Sequence, residues 1–312
     1  MPFLRQEIPY TEETMIQSYL HEIERRSDLP ALHAAFLKEA LPRLQADERI
    51  VAVAAGGSFL TGGMDEYSDL DLVIAVSPAA VSQIMYERQQ IASTLGTLVA
   101  AFTGEHVGEP RLLICLYGPP LLHVDLKFIS LADAGHRVED PIILWERDGQ
   151  LTAILRRSAA TYPTPDLQWI EDRFWVWVHY IAAKIGRGEL FDAHDSLAVL
   201  RTLALGPLAL LTQGARPSGV RKVETHAQPH LEDLIRTTAV YDRLACVAAL
   251  RAAATLYRKL RALIAATSFS PRPEAEAAAM DYLAQIEHNI RAQEKHDDQD
   301  QHTVPQSRGQ QV

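Results

Sequence analysis

Asp69 and Asp71 stand two residues apart in the run Ser68-Asp69-Leu70-Asp71-Leu72. In an extended strand, residues at that spacing project from the same face. The two carboxylates then lie side by side while Leu70 and Leu72 turn the other way. Neighbouring carboxylates repel unless a proton or a cation lies between them, and magnesium typically takes one or two carboxylates together with phosphate oxygens. A third carboxylate occurs in Leu122-His123-Val124-Asp125-Leu126-Lys127-Phe128, where alternation sets His123, Asp125 and Lys127 on one face. If the two strands are neighbours, three acids converge. That is enough for two ions, one activating an attacking hydroxyl and the other steadying a leaving pyrophosphate. Upstream, Gly56-Gly57-Ser58 forms a turn whose backbone amides can approach a phosphate closely, with the Ser58 hydroxyl as a further donor.

Other side chains carry weaker chemical readings. Lys127 either reaches a phosphate or sits solvated on the same face, and His123 is a neighbour of the acids rather than a ligand. In Lys184-Ile185-Gly186-Arg187-Gly188-Glu189, Glu189 is a candidate general base toward an acceptor, with Lys184 and Arg187 neutralising departing pyrophosphate. The plainer reading is a helix end whose cations complement its dipole, with Glu189 starting the next helix. Trp169, Trp175 and Trp177, with Phe174, are expected in an inter-helix core. His226 and His230 are four apart, but Pro229 between them argues against a shared zinc ion. Cys115 and Cys246, far apart in apolar surroundings, read as buried free thiols of a reducing cytoplasm.

The elements that must position these groups are visible in outline. Ser27-Asp28-Leu29-Pro30 reads as a helix start, followed by Ala34, Leu37, Leu41 and Leu44 at helical spacing, with Pro42 expected to break or kink the run. Ile50 to Ala55 is a buried strand, and Asp69 to Val76 a second one beyond the glycine turn. Ser77-Pro78 starts a helix whose apolar face comprises Val81, Ile84, Ile91, Leu95 and Leu98. Arg111 to Tyr117 and Leu121 to Ile129 are strands joined by Gly118-Pro119-Pro120, and Ile142 to Trp145 is a fifth.

From about Gln150 the pattern turns helical. Trp169 to Ile185 is stopped by Gly186 and Gly188, Phe191 to Leu211 follows, and Val240, Leu244, Val247, Leu250, Ala254, Tyr257 and Leu260 mark a long last helix. The expected fold class is α+β: a small mixed sheet (residues 1–150, with a helical lead-in at 1–48) followed by a helical bundle at 151–294. The polar stretch 295–312 is expected to be disordered.

The 312 residues suit two domains, each with its own core. A formal charge of −10 counts against a long nucleic acid, whose binding usually needs a basic stripe, and suits a cationic small partner. No apolar stretch is expected to span a bilayer, and the amino-terminal residues do not resemble an export signal. A cytoplasmic location is therefore expected.

The order Gly57-Ser58, Gly62, Ser68-Asp69-Leu70-Asp71 and then Val124-Asp125 resembles the DNA polymerase β-type nucleotidyltransferase superfamily. Within it, the chain is similar to bacterial proteins related to aminoglycoside nucleotidyltransferases. The motifs span Ile50 to Ile129, and Lys184 to Leu190 with the following helices resembles that group's second domain. The resemblance implies that Gly57 and Ser58 bind a triphosphate, that Asp69 and Asp71 ligate two magnesium ions, and that Asp125 ligates one and helps activate the acceptor. Thr61 departs from the family, where the position before Gly62 is often basic. The implied reaction moves a nucleoside monophosphate, AMP from ATP, to a hydroxyl of a small acceptor, with aminoglycoside-like compounds among the candidates. A protein-modifying adenylyltransferase of the antitoxin type and a non-catalytic nucleotide-binding regulator remain open beside it.

Overall fold

A computed structural model describes residues 29–264 and 269–302, with side chains as far as residue 296. The chain divides into two compact units, residues 1–163 and 164–312.

The first unit is built on a six-stranded sheet of β1 (Ile50–Ala55), β2 (Leu70–Val76), β3 (Leu98–Gly104), β4 (Glu109–Tyr117), β5 (Leu122–Ser130) and β6 (Ile142–Glu146). Their spatial order is β3-β4-β5-β2-β1-β6. All neighbours are antiparallel except β2 and β5, which run parallel with Asp71 opposite Asp125. Helices α1 (Ala31–Gln45) and α2 (Val81–Thr94) cover one face. There Leu37, Leu41, Leu44 and Ile84 close over Val53, Leu70, Leu72, Ile74, Val124, Leu126 and Phe128. A smaller cluster on Val51, Ala52, Ala54, Ala75 and Ile129 receives the short α3 (Gln150–Leu155).

Two local expectations are corrected here, and a third falls outside the described residues. Pro42 does not break α1, which continues to Gln45; near the carboxyl end its missing N–H forfeits one intrahelical bond, and its carbonyl still accepts from Ala46. Leu98 is not on the α2 face. The helix stops at Thr94, and residues 98–104 form β3, a sixth strand whose exposed Val99 and Phe102 disguise it as a sheet edge. The pair Ser27-Asp28 lies outside the described residues.

The second unit is helical, with α4 (Leu167–Arg187), α5 (Leu190–Leu200), α6 (Gly206–Thr212), α7 (Val223–His226), α8 (Gln228–Ile235), α9 (Arg243–Ile264) and α10 (Pro273–His302). Gly188 ends α4 with φ 75°, the left-handed conformation that glycine adopts freely. Between α5 and α6, Arg201–Leu205 widens into a π turn just before Pro207, which cannot donate to the ladder. The run Leu190–Thr212, 23 residues long, passes by length and composition for a bilayer-crossing helix, but Asp192, Asp195 and Arg201 interrupt it, so it is not an uninterrupted apolar span. Its apolar side is used internally: Ala193, Leu197, Leu200, Ala204, Leu205 and Leu208 are buried in the helical core.

Phe174 stacks on Tyr257 at 3.9 Å with Trp175 set edge-on. Trp177 packs only partly against this core, whereas Trp169 is exposed beneath the Arg173 guanidinium, outside the core expected for it. Within the tail expected to be disordered, residues 295–302 instead continue α10 to His302; residues 303–312 lie outside the described residues.

Candidate active site

The site grows from the two parallel strands. Because β2 and β5 run the same way in register, the carboxylates of Asp71 and Asp125 issue from facing positions of neighbouring strands. Asp69 immediately precedes β2, which begins at Leu70 rather than at Asp69. Leu70 and Leu72 are sunk in the opposite face at 0% and 1% exposure, so hydrophobic burial on one side fixes which way the acids point. One ligand oxygen from each of Asp69, Asp71 and Asp125 can be chosen so that all lie within 4.8 Å of one another, and the three residues are half-buried.

The loop before Asp69 is held in two ways. Asp65 and Ser68 close it locally: the Ser68 hydroxyl donates to Asp65 Oδ1 at 2.9 Å and accepts from the Asp65 amide at 3.0 Å. From α1, His33 then reaches the Ser68 carbonyl with Nε2 at 2.7 Å. His33 is 1% exposed, so its ring fastens the backbone next to the first aspartate to the body of the unit.

The glycine turn is tied to the same strand, since the Gly56 amide donates to the Asp71 carbonyl at 3.0 Å. Gly57 has φ +58°, and a Cβ there would fall 2.0 Å from Asp71 Oδ2. Both conformation and space therefore require glycine. Ser58 Oγ is buried and lacks a hydrogen-bond partner among the described residues. Buried hydroxyls ordinarily find partners, so an orphan beside a carboxylate cluster suits a donor waiting for an oxygen-rich ligand. Three hard oxygen donors at this spacing likewise fit a divalent cation.

The remaining candidates fall elsewhere. His123 Nε2 lies 3.0 Å from Asp125 Oδ1, at the edge of the acid cluster. Lys127 shares the Asp125 face but pairs with Glu109 at 2.7 Å. Glu109 is pulled down to about 2 by the Arg111 hydrogen bond, against burial and with further help from Lys127. Thr61 donates to the Ser58 carbonyl at 3.3 Å.

Lys184, Arg187 and Glu189 belong to the helical unit and form an ion cluster there. Lys184 meets Glu189 at 2.5 Å and Asp192 at 2.8 Å, with Arg187 3.8 Å from Glu189. The Asp192 hydrogen bond, then that of Glu189, raises the Lys184 ammonium above its ordinary range. His230 is buried against the Thr212 hydroxyl at 2.9 Å, and both cysteines are buried free thiols.

Two contacts at the site have no sequence signal. His33 acts across 35 positions. The Glu139 carboxylate accepts the Gly57 amide at 2.8 Å across 82. Neither belongs to a motif, and only the folded chain brings them in.

A mixed sheet whose parallel pair gathers three acids beside a glycine turn has the architecture of a nucleotidyl-transfer domain. Residues 37–102 match the family described as the nucleotidyltransferase domain, a stretch that includes Gly57, Ser58, Asp69 and Asp71. The chain therefore carries a nucleotidyltransferase domain and is an enzyme of the nucleotidyl-transfer class. No curated protein matches it. Among solved structures, it is similar to an aminoglycoside 6-adenyltransferase from Bacillus subtilis, at 16% identity and TM-score 0.33 over 80% of this chain and 97% of that one. It is also similar to a nucleotidyltransferase-like protein from Exiguobacterium sibiricum, at 14% identity and TM-score 0.29 over 72% and 74%. The class assignment rests on the domain match rather than on these likenesses.

Proposed function

We propose that this enzyme transfers a nucleoside monophosphate, AMP from ATP, to a hydroxyl of a small acceptor and releases pyrophosphate. The observation that carries the reading is the meeting of Asp69, Asp71 and Asp125 within 4.8 Å beside the Gly57 turn and the orphan Ser58 hydroxyl. Asp69 and Asp71 would hold two magnesium ions and Asp125 one of them. Bound there, magnesium neutralises charge on the phosphates and lowers the pKa of the attacking hydroxyl.

The chain's own groups do the rest. The Gly57 amide and Ser58 Oγ hold the β- and γ-phosphates as hydrogen-bond donors. Asp125 takes the acceptor's hydroxyl proton and passes it to solvent. The acceptor oxygen then bonds to the α-phosphorus as the bond to the pyrophosphate oxygen breaks. Positioning and electrostatics supply most of such catalysis.

The net charge of −10 favours a cationic acceptor over a long polyanion, so an aminoglycoside-like compound is the first to try. Buried free thiols accord with a cytoplasmic setting. The direct test incubates the full-length protein with magnesium, α-labelled ATP and a panel of hydroxylated antibiotics. Label on one acceptor, abolished by Asp125→Asn, is expected; no transfer to any member of the panel overturns the small-acceptor reading.

A further inference from the structure

Glu139 lies in neither strand that bears the aspartates, but in the segment joining β5 to β6. Its Oε1 nevertheless accepts the Gly57 N–H at 2.8 Å. The same oxygen is 2.9 Å from the point where a Cβ on Gly56 would stand, so the paired glycines leave the space this carboxylate fills. The segment that delivers it is anchored. Two residues away, the Arg137 guanidinium donates to Ser158 Oγ at 2.6 Å, to the Ser158 carbonyl at 2.8 Å and to the Leu155 carbonyl at 3.1 Å. The Thr161 amide returns a hydrogen bond to the Arg137 carbonyl at 2.9 Å.

An anionic oxygen accepting a backbone N–H is the contact that a phosphate oxygen makes. Asp71 Oδ2 flanks Gly57 as well, so Glu139 brings a further negative charge into a cluster that already holds three. A triphosphate claiming the Gly57 amide would meet both the occupied donor and the added charge.

We propose that Glu139 is a placeholder for a nucleotide phosphate: its carboxylate holds the Gly57 amide in the ligand-free enzyme and leaves when the triphosphate binds. This rests on the nucleotidyl-transfer reading of the site. In the ligand-free state Glu139 keeps the donor satisfied and aimed, which stabilises the turn. It also lowers nucleotide affinity by the fraction of molecules in which the amide is taken. Glu139 is thus an affinity-setting residue rather than a catalytic one.

The test uses full-length wild type, Glu139→Ala and Glu139→Gln, titrated by calorimetry with a non-hydrolysable ATP analogue and magnesium, with ligand-free melting measured alongside. Glu139→Ala should bind the analogue about five-fold more tightly, the order expected when one competing hydrogen bond is removed. Glu139→Gln, neutral but still able to accept, should fall between it and wild type. Ligand-free Glu139→Ala should melt lower. Tighter binding with lower intrinsic stability is the signature of a placeholder, since a residue that only supports the turn would lose both. Unchanged or weaker analogue binding by Glu139→Ala, with wild type binding normally, overturns the proposal alone. A wild-type protein that does not bind the analogue overturns the nucleotidyl-transfer reading beneath it.

Discussion

Asp71 sits where three requirements meet: its carboxylate faces Asp125 across the parallel pair, its carbonyl receives the Gly56 amide, and its Oδ2 fills the space a Gly57 side chain would need. Asp71→Asn should therefore separate function from stability. Turnover should fall by at least about 100- to 1000-fold, the usual consequence of losing one preorganised electrostatic group. Relieving repulsion among three close acids should leave the ligand-free melting temperature unchanged or higher; a large drop would show that the carboxylate is structural. Gly57→Ala should fail on both counts. The left-handed backbone costs about 1–3 kcal/mol, and displacing Asp71 should remove analogue binding measured by calorimetry. At this scale the candidate site was partly legible. Asp69, Asp71 and Asp125 announce themselves by the spacing of acids in strands, and Gly57-Ser58 by its turn chemistry. Glu139 and His33 do not, because a single carboxylate or imidazole far along the chain carries no periodicity.

The elements carry the geometry. Whether two acidic strands share a site depends on their pairing, and alternation within each strand reveals only faces. The parallel β2–β5 contact, made across the intervening α2, β3 and β4, is a tertiary choice that local pattern does not encode. The same limit hid β3, an edge strand with solvent-facing Val99 and Phe102 that blurs into the end of α2. The His33 bond between α1 and the loop before Asp69 gives this scale its prediction. His33→Ala should leave the Ser68 carbonyl without its partner, costing about 1–3 kcal/mol in denaturant unfolding. It should also raise the magnesium concentration needed for half-maximal activity, because the Asp69 backbone is no longer held. Loss of stability with unchanged magnesium dependence would confine His33 to packing.

At the scale of the whole chain, each compact unit carries its own core, and the helical one encloses an ionic network. Glu171, 1% exposed, accepts from the Tyr257 hydroxyl at 2.6 Å, the Arg272 amide at 2.8 Å and Arg261 at 3.0 Å. Burial alone would raise its carboxyl; the Tyr257 hydroxyl, the Arg272 amide and Arg261 together outweigh it and hold the group below its usual range. A carboxyl depressed in the folded state contributes stability above its unfolded value of about 4.3, lost as pH falls through the lower folded value. Wild type should therefore lose stability more steeply than Glu171→Gln as pH drops below about 4.3, followed by chemical denaturation. Tyr257→Phe at neutral pH should cost about 1–3 kcal/mol. Equal acid profiles for wild type and Glu171→Gln would contradict the assignment.

Several features needed no tertiary information. Alternation and apolar runs determined β1, β2, β4, β5 and the long helices α4 and α9, because side-chain period and turn chemistry are local properties. The acidic residues that make up the cluster could be read in the same way, whereas the division of the units at 163/164, with α3 retained by the sheet, could not. Folding alone decided that β2 and β5 lie parallel, that Pro42 remains within α1, and that Glu139 reaches Gly57. Each of these depends on which distant segment supplies the burial or the hydrogen-bond partner, and short-range spacing does not specify that segment.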